Sequence, residues 1–145
     1  MGFFAYGAEI DTKVMVARAG GYQFAFPAFL EGYRLSFQAS KGREFGLANL
    51  ERDDAGVVYG VFYNLTKEQM GALEKASGAP GFRRKIDVVV RLSDGRMVNA
   101  TAFVLEGDVV GALPSKPYLE SMMDGLRQFH GEEKIRSIEE AIKKT

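Results

Sequence analysis

The sequence predicts an α+β fold in which a small mixed β-sheet, curled into a barrel, is surrounded by short helices. Three observations support this prediction. Strand-like segments come first, a well-marked helix separates some of them, and amphipathic helices come last. Several strand-like segments are apolar on both faces, which a small sheet closed on itself would explain. Periodicity alone leaves an open sheet as the alternative.

Four elements are predicted in the first half of the chain. A strand over residues 2–8 is apolar and aromatic throughout, and a short helix over residues 10–18 follows it. Residues 32–38 alternate between apolar and polar side chains, as a half-buried strand does, and residues 57–64 form a further strand.

A capped helix and a hairpin follow. Thr66 and Gln69 have the spacing of a capping box, and the helix that they begin has Met70, Leu73 and Ser77 on its inward side. Two β-rich runs, 86–92 and 97–105, flank Ser93-Asp94-Gly95, and Asp-Gly is a preferred hairpin turn.

Two helices are predicted at the end of the chain. The first begins near Ser115, and its apolar stripe consists of Tyr118, Met122, Leu126 and Phe129. The second begins near Glu132 and has Ile135, Ile138 and Ile142 on one side. This isoleucine side either docks on the core or forms an assembly surface, so a homodimer is one open alternative.

Composition limits the classes of function. The 145 residues contain no linker or repeat, so we expect a single domain over residues 1–145. With 19 basic and 19 acidic residues, the chain has no net charge to attract nucleic acid or a membrane surface. The absence of cysteine excludes a thiol nucleophile and a thiolate zinc site. One histidine excludes a histidine-rich metal site and leaves an oxygen-only site open.

The expected location is the cytoplasm. The first residues, Met-Gly-Phe-Phe-Ala-Tyr-Gly, lack the basic start and long apolar run of a signal peptide. No apolar run is long enough to span a bilayer.

Four short stretches carry a family resemblance. They are Phe4-Ala5-Tyr6-Gly7-Ala8-Glu9-Ile10, residues 30–37, residues 60–65 with the helix through Glu74, and Pro114-Ser115-Lys116-Pro117-Tyr118. In this order they resemble motifs of the gamma-glutamylcyclotransferase-like family. The first corresponds to the family's Tyr-Gly-Ser-Asn loop, and the last to its late Pro-Ser-x-x-Tyr helix start.

The resemblance implies a mixed barrel with a pocket and a reaction. Enzymes of the family cyclise a γ-glutamyl amine or amide to 5-oxoproline and release the amine, an intramolecular acyl transfer that needs neither a metal nor an organic cofactor. The ligand would be a small γ-glutamyl compound. The implied substrate-binding residues are Tyr6, Gly7, Ala8, Glu9, Ile10, Ser77 and Tyr118.

The sequence departs from the family pattern at the catalytic position. The family places a catalytic glutamate in Leu-Asp-x-x-Glu-Gly, and the matching text here, residues 73–78, has Ser77 in its place. The loop has Ala8 and Glu9 where the family has Ser and Asn, which adds a negative charge. Two interpretations stay open. Either Glu9 acts as the catalytic base from the opposite wall, or the chain is a non-catalytic binding module whose ligand is different, for example cationic.

Two other features favour structural roles. His130, the single histidine, is expected to be solvated or to cap a helix rather than to act in catalysis. The basic run Arg83-Arg84-Lys85 is expected to be the solvated start of a strand rather than a nucleic-acid site.

Overall fold

The computed structural model describes all 145 residues as six strands, four α-helices and two short 3-10 helices. The strands are β1 (Gly2–Ala5), β2 (Phe24–Ser40), β3 (Leu47–Asn64), β4 (Arg83–Leu92), β5 (Met97–Leu105) and β6 (Val109–Gly111). The α-helices are α1 (Thr12–Ala19), α2 (Lys67–Ser77), α3 (Lys116–His130) and α4 (Ile135–Lys143). The 3-10 helices are Ala8–Ile10 and Glu132–Lys134.

Five strands form a closed barrel, which confirms the predicted α+β fold. The strand order is β3-β1-β5-β4-β2-β6, and an additional pairing of β3 with β2 closes the ring. The pairing of β1 with β5 is parallel and joins Phe3 to Thr101, whereas the other strand pairs are antiparallel. The sheet is therefore mixed, and β6 extends it beyond β2.

Strands β2 and β3 are longer than predicted and form one long hairpin. Their register shifts at Gly32, because Glu31 pairs with Val57 whereas Tyr33 pairs with Arg52. Residues 53–56 of β3 thus bulge opposite a glycine with φ of 87°. In the sequence this charged, glycine-ended stretch resembles a loop, which hides the continuity of the strand.

Local signals in α2 and in the β4–β5 hairpin are confirmed. The Gln69 N–H donates to Thr66 Oγ1 at 3.1 Å, and the Thr66 N–H donates to Gln69 Oε1 at 2.9 Å, so the capping box is complete. Met70, Leu73 and Ser77 are buried as predicted. Strand β4 pairs with β5 over residues 83–91 and 97–105.

Helices α3 and α4 pack on the barrel. Met122 and Leu126 of α3 and Ile135 and Ile138 of α4 belong to the buried core. The isoleucine side of α4 therefore docks on the core, as one of the two alternatives predicted, and a homodimer stays a prediction.

His130 lies at the end of α3 and is half-buried rather than solvated. Its Nε2 is 2.7 Å from the carbonyl oxygen of Gly60, and its ring packs edge-on against Phe29 and Tyr59. Burial lowers the pKa of His130, which favours the neutral ring. The side chain thus fastens the end of α3 to β3.

No helix of the fold combines the length and the apolar character that a bilayer crossing needs. A cytoplasmic location stays a prediction.

Candidate functional site

A narrow recess opens where β1 ends, between the loop that follows it, β5 and the start of α3. It measures about 310 Å³, including the part open to solvent. Its lining residues are Phe3, Phe4, Ala5, Tyr6, Gly7, Glu9, Ala48, Arg83, Phe103 and Tyr118. Four of the seven residues implied by the resemblance, namely Tyr6, Gly7, Glu9 and Tyr118, therefore meet at one place.

Tyr6 fixes the exit of β1 against β5. Its ring is buried, and its hydroxyl donates to the carbonyl oxygen of Phe103. Burial raises the pKa of Tyr6 well above its ordinary value, so the hydroxyl stays neutral and keeps its proton for this hydrogen bond.

Gly7 and Tyr118 lie in close contact on one wall. A Cβ added to Gly7 would lie 2.7 Å from Tyr118 Oη, so a larger residue at position 7 would displace the phenol. Tyr118 Oη accepts a hydrogen bond of 3.0 Å from the Ala48 N–H. Burial raises the pKa of Tyr118 to about 12, and the phenol is therefore neutral at physiological pH.

Glu9 is the only carboxylate among the lining residues. Its side chain is 12% exposed, and its Oε1 accepts a 3.0 Å hydrogen bond from Arg18 Nη1 in an ion pair. Its backbone carbonyl accepts a 2.7 Å hydrogen bond from the Tyr63 hydroxyl. The negative charge expected from Glu9 is thus offset by a cation from α1, nine residues along the chain.

Ala8 and Ile10 lie beside the recess rather than in its lining. Their exposed fractions are 4% and 1%, and both side chains pack in the protein interior. They hold the loop in place, and a direct contact with substrate stays a prediction for both.

Ser77 ends α2 next to the recess without lining it. The residue is 2% exposed, and its Oγ has no hydrogen-bond partner. Its carbonyl oxygen accepts a 3.0 Å hydrogen bond from Arg83 Nη1. The end of α2 therefore adjoins the recess through Arg83, which lines it.

The position of Arg83 corrects the expectation of a solvated basic run. Arg84 and Lys85 do form exposed ion pairs, with Glu106 at 3.8 Å and Glu74 at 3.1 Å. Arg83 instead turns to the end of α2 and the recess. A sequence signal for this exists, because a basic side chain soon after a helix end can bind the last carbonyl groups.

No group of three or more histidine or acidic side chains lies close enough together to hold a metal ion.

Tyr118→Phe is expected to destabilise the fold by about 1–3 kcal/mol, because the partly buried Ala48 N–H would lose its acceptor. Urea unfolding measures the change. Tyr22→Phe is the matched control, since the Tyr22 hydroxyl is not among the tyrosine hydroxyls that form hydrogen bonds, and we expect a change within about 0.5 kcal/mol. Equal changes in the two variants would show that the Tyr118 hydroxyl does not support the wall.

The fold and the recess define a class of protein: a small mixed-barrel domain with a pocket built from the glycine loop after its first strand and a tyrosine from a late helix. A family model described as gamma-glutamyl cyclotransferase, AIG2-like, matches residues 3–121. The chain belongs to this family, as the sequence resemblance predicted.

Known relatives agree with this assignment. Human gamma-glutamylcyclotransferase is 24% identical over 94% of this chain and 78% of its own length. The bovine gamma-glutamylcyclotransferase is 23% identical over the same shares. A solved gamma-glutamyl cyclotransferase superposes with a TM-score of 0.85 at 23% identity, covering 100% of this chain and 99% of its own. A yeast cyclotransferase described as specific to glutathione gives 0.66 at 13% identity, covering 100% and 98%. These structural likenesses show the fold alone.

Proposed function

We propose that this chain binds a γ-glutamyl compound in the recess and lacks efficient cyclotransferase activity. One observation carries the proposal. At the end of α2, where the family has its catalytic glutamate, Ser77 is buried and its hydroxyl has no hydrogen-bond partner.

Cyclisation of a γ-glutamyl group requires a base. The α-amine of the substrate attacks its own γ-carbonyl, so the ring closes without a protein nucleophile and gains from proximity. The attacking ammonium must first lose a proton, and the leaving amine must receive one. A serine hydroxyl with no neighbouring base cannot perform either transfer. Ser77 has no such neighbour within hydrogen-bonding distance.

Ligand binding is supported by what the recess retains. Tyr6, Gly7 and Tyr118 correspond to family motifs and line one recess. Tyr6 and Tyr118 are fixed by hydrogen bonds to backbone groups, so their positions are set before a ligand enters. The named relatives of this chain are gamma-glutamylcyclotransferases, which favours a γ-glutamyl compound as the ligand.

Glu9 supports a second candidate function, cyclisation with a relocated base. It is the only carboxylate lining the recess, and Arg18 holds it in one position. In this alternative Glu9 would accept the proton from the attacking ammonium and return it to the leaving amine as 5-oxoproline forms.

Glu9→Gln separates the two candidates. We expect the wild type to bind γ-glutamyl compounds in calorimetric titrations and to release 5-oxoproline slowly, at a rate that Glu9→Gln leaves unchanged. Mass spectrometry of 5-oxoproline measures this rate over a panel of γ-glutamyl amines and γ-glutamyl amino acids. A loss of about 100-fold or more would instead establish Glu9 as the base. Glu106→Gln is the control. It makes the same chemical change and also removes an ion pair, but that pair is exposed, whereas the Glu9 side chain is largely buried.

A further inference from the structure

We propose that Arg83 is the carboxylate-binding residue of the recess and that the ligand, anionic or zwitterionic, places a carboxylate beside it. This inference rests on the binding function proposed above.

The first reason is that Arg83 has no acidic partner. No carboxylate lies within ion-pairing distance of this guanidinium. Its neighbours Arg84 and Lys85 are both paired on the surface. Arg83 is partly buried and lines a recess, so its charge has lost water without gaining a counterion. A ligand carboxylate would supply that counterion.

The second reason is that the guanidinium is held in place with donors to spare. Nη1 donates to the Ser77 carbonyl oxygen at 3.0 Å, and the group lies 5.1 Å from the ring centroid of Phe82. A guanidinium has five N–H donors in a planar fork that matches a carboxylate. The hydrogen bond to Ser77 uses one of these donors, so a bidentate contact with a carboxylate is available.

The third reason is the balance of charge around the recess. Glu9 and Arg18 neutralise each other as an ion pair at 3.0 Å. The charged residues of the lining are Glu9 and Arg83, and because Arg18 from outside the lining pairs with Glu9, the charge of Arg83 is the one without a partner. This balance favours a carboxylate and disfavours the cationic ligand that Glu9 alone would suggest.

Two carboxylates of a γ-glutamyl amino acid fit this chemistry. One is the α-carboxylate of the glutamyl group, and the other is the carboxylate of the amino acid bound to its γ-carbonyl. Replacing each in turn with a carboxamide identifies the one that Arg83 contacts.

Calorimetric titration with γ-glutamylalanine and its two monocarboxamides tests the inference. We expect Arg83→Gln to weaken binding of γ-glutamylalanine roughly ten- to hundredfold, because a charge-assisted hydrogen bond is lost. Arg83→Lys should retain part of the affinity, since it keeps the charge without the fork. One of the two carboxamides should bind wild type weakly and show no further loss in Arg83→Gln. Arg84→Gln is the matched control and should leave every affinity unchanged.

The outcomes separate this inference from the proposed function. Unchanged affinity of γ-glutamylalanine in Arg83→Gln overturns the role of Arg83 and leaves the proposed function standing. If acetate or alanine binds in an Arg83-dependent way while no γ-glutamyl compound binds, the proposed function fails and the carboxylate site stands. Absence of any carboxylate binding overturns both. If Arg83→Gln does not fold, the affinities of the wild-type protein for γ-glutamylalanine and its two carboxamides test the inference instead. Equal affinities for all three compounds overturn it.

Discussion

Replacing Ser77 with glutamate is expected to raise the rate of 5-oxoproline release by about 100-fold or more, because a positioned general base typically contributes that much. The substitution places a carboxylate at the end of α2, at the position that the family resemblance assigns to a catalytic glutamate. The Arg83 guanidinium already bonds the Ser77 carbonyl oxygen and lines the recess. The new carboxylate would therefore lie beside Arg83 at the edge of the recess.

Ser77→Gln is the matched control for this experiment. Its side chain has the size of glutamate and can form hydrogen bonds, but it cannot accept a proton at neutral pH. Rates from single-turnover experiments with γ-glutamylalanine should rise in Ser77→Glu alone. Equal rates in the two variants, with both folded by circular dichroism, would show that the recess has lost more than its base.

Gly125→Ala is expected to destabilise the protein by about 1–3 kcal/mol or more, although alanine is the better helix former. Gly125 lies in the middle of α3, where an added Cβ would be 2.5 Å from the Ile10 carbonyl carbon and 2.6 Å from the Asp11 nitrogen. Both are backbone atoms and cannot rotate away. The helix must therefore move off the loop that carries Glu9, which should also weaken ligand binding.

Gly71→Ala is expected to change the free energy of unfolding in the opposite direction. Gly71 also lies inside a helix, α2, but nothing lies within 4 Å of its added Cβ. We expect a gain of up to about 1 kcal/mol from helix propensity alone. Chemical denaturation of both variants measures the difference. Destabilisation of Gly71→Ala to the same extent as Gly125→Ala would show that the close approach to Ile10 is not the cause.

The sequence predicted those elements whose signals are local. The Thr66 capping box and the Asp94-Gly95 turn each act over a few residues, and both are present in the structure. The first parts of β2 and β3 were missed, because β3 passes through residues 53–56 as a bulge opposite Gly32. Barrel closure depends on pairings between strands distant in sequence. Strands that are apolar on both faces suggested a barrel but left an open sheet as the alternative, and the family resemblance favoured the barrel.

The sequence predicted only those residues of the candidate site that lie in family motifs. Tyr6, Gly7, Glu9 and Tyr118 follow family motifs and do meet at the recess. Arg18 could not be assigned to Glu9, because the pairing depends on how α1 folds back over the loop. The basic run Arg83-Arg84-Lys85 predicts a solvated strand start, which is correct for Arg84 and Lys85 and wrong for Arg83.

The parallel pairing of Phe3 with Thr101 has a consequence for biosynthesis. A nascent chain emerges from its amino end, so β1 can pair with β3 once residues 61–64 exist, whereas its other edge must wait for β5 and Thr101. Until then its aromatic edge is open to wrong partners, and a chain stalled before β5 is expected to be a substrate for holdase chaperones. Formation of contacts this distant should make folding slow for a protein of this size.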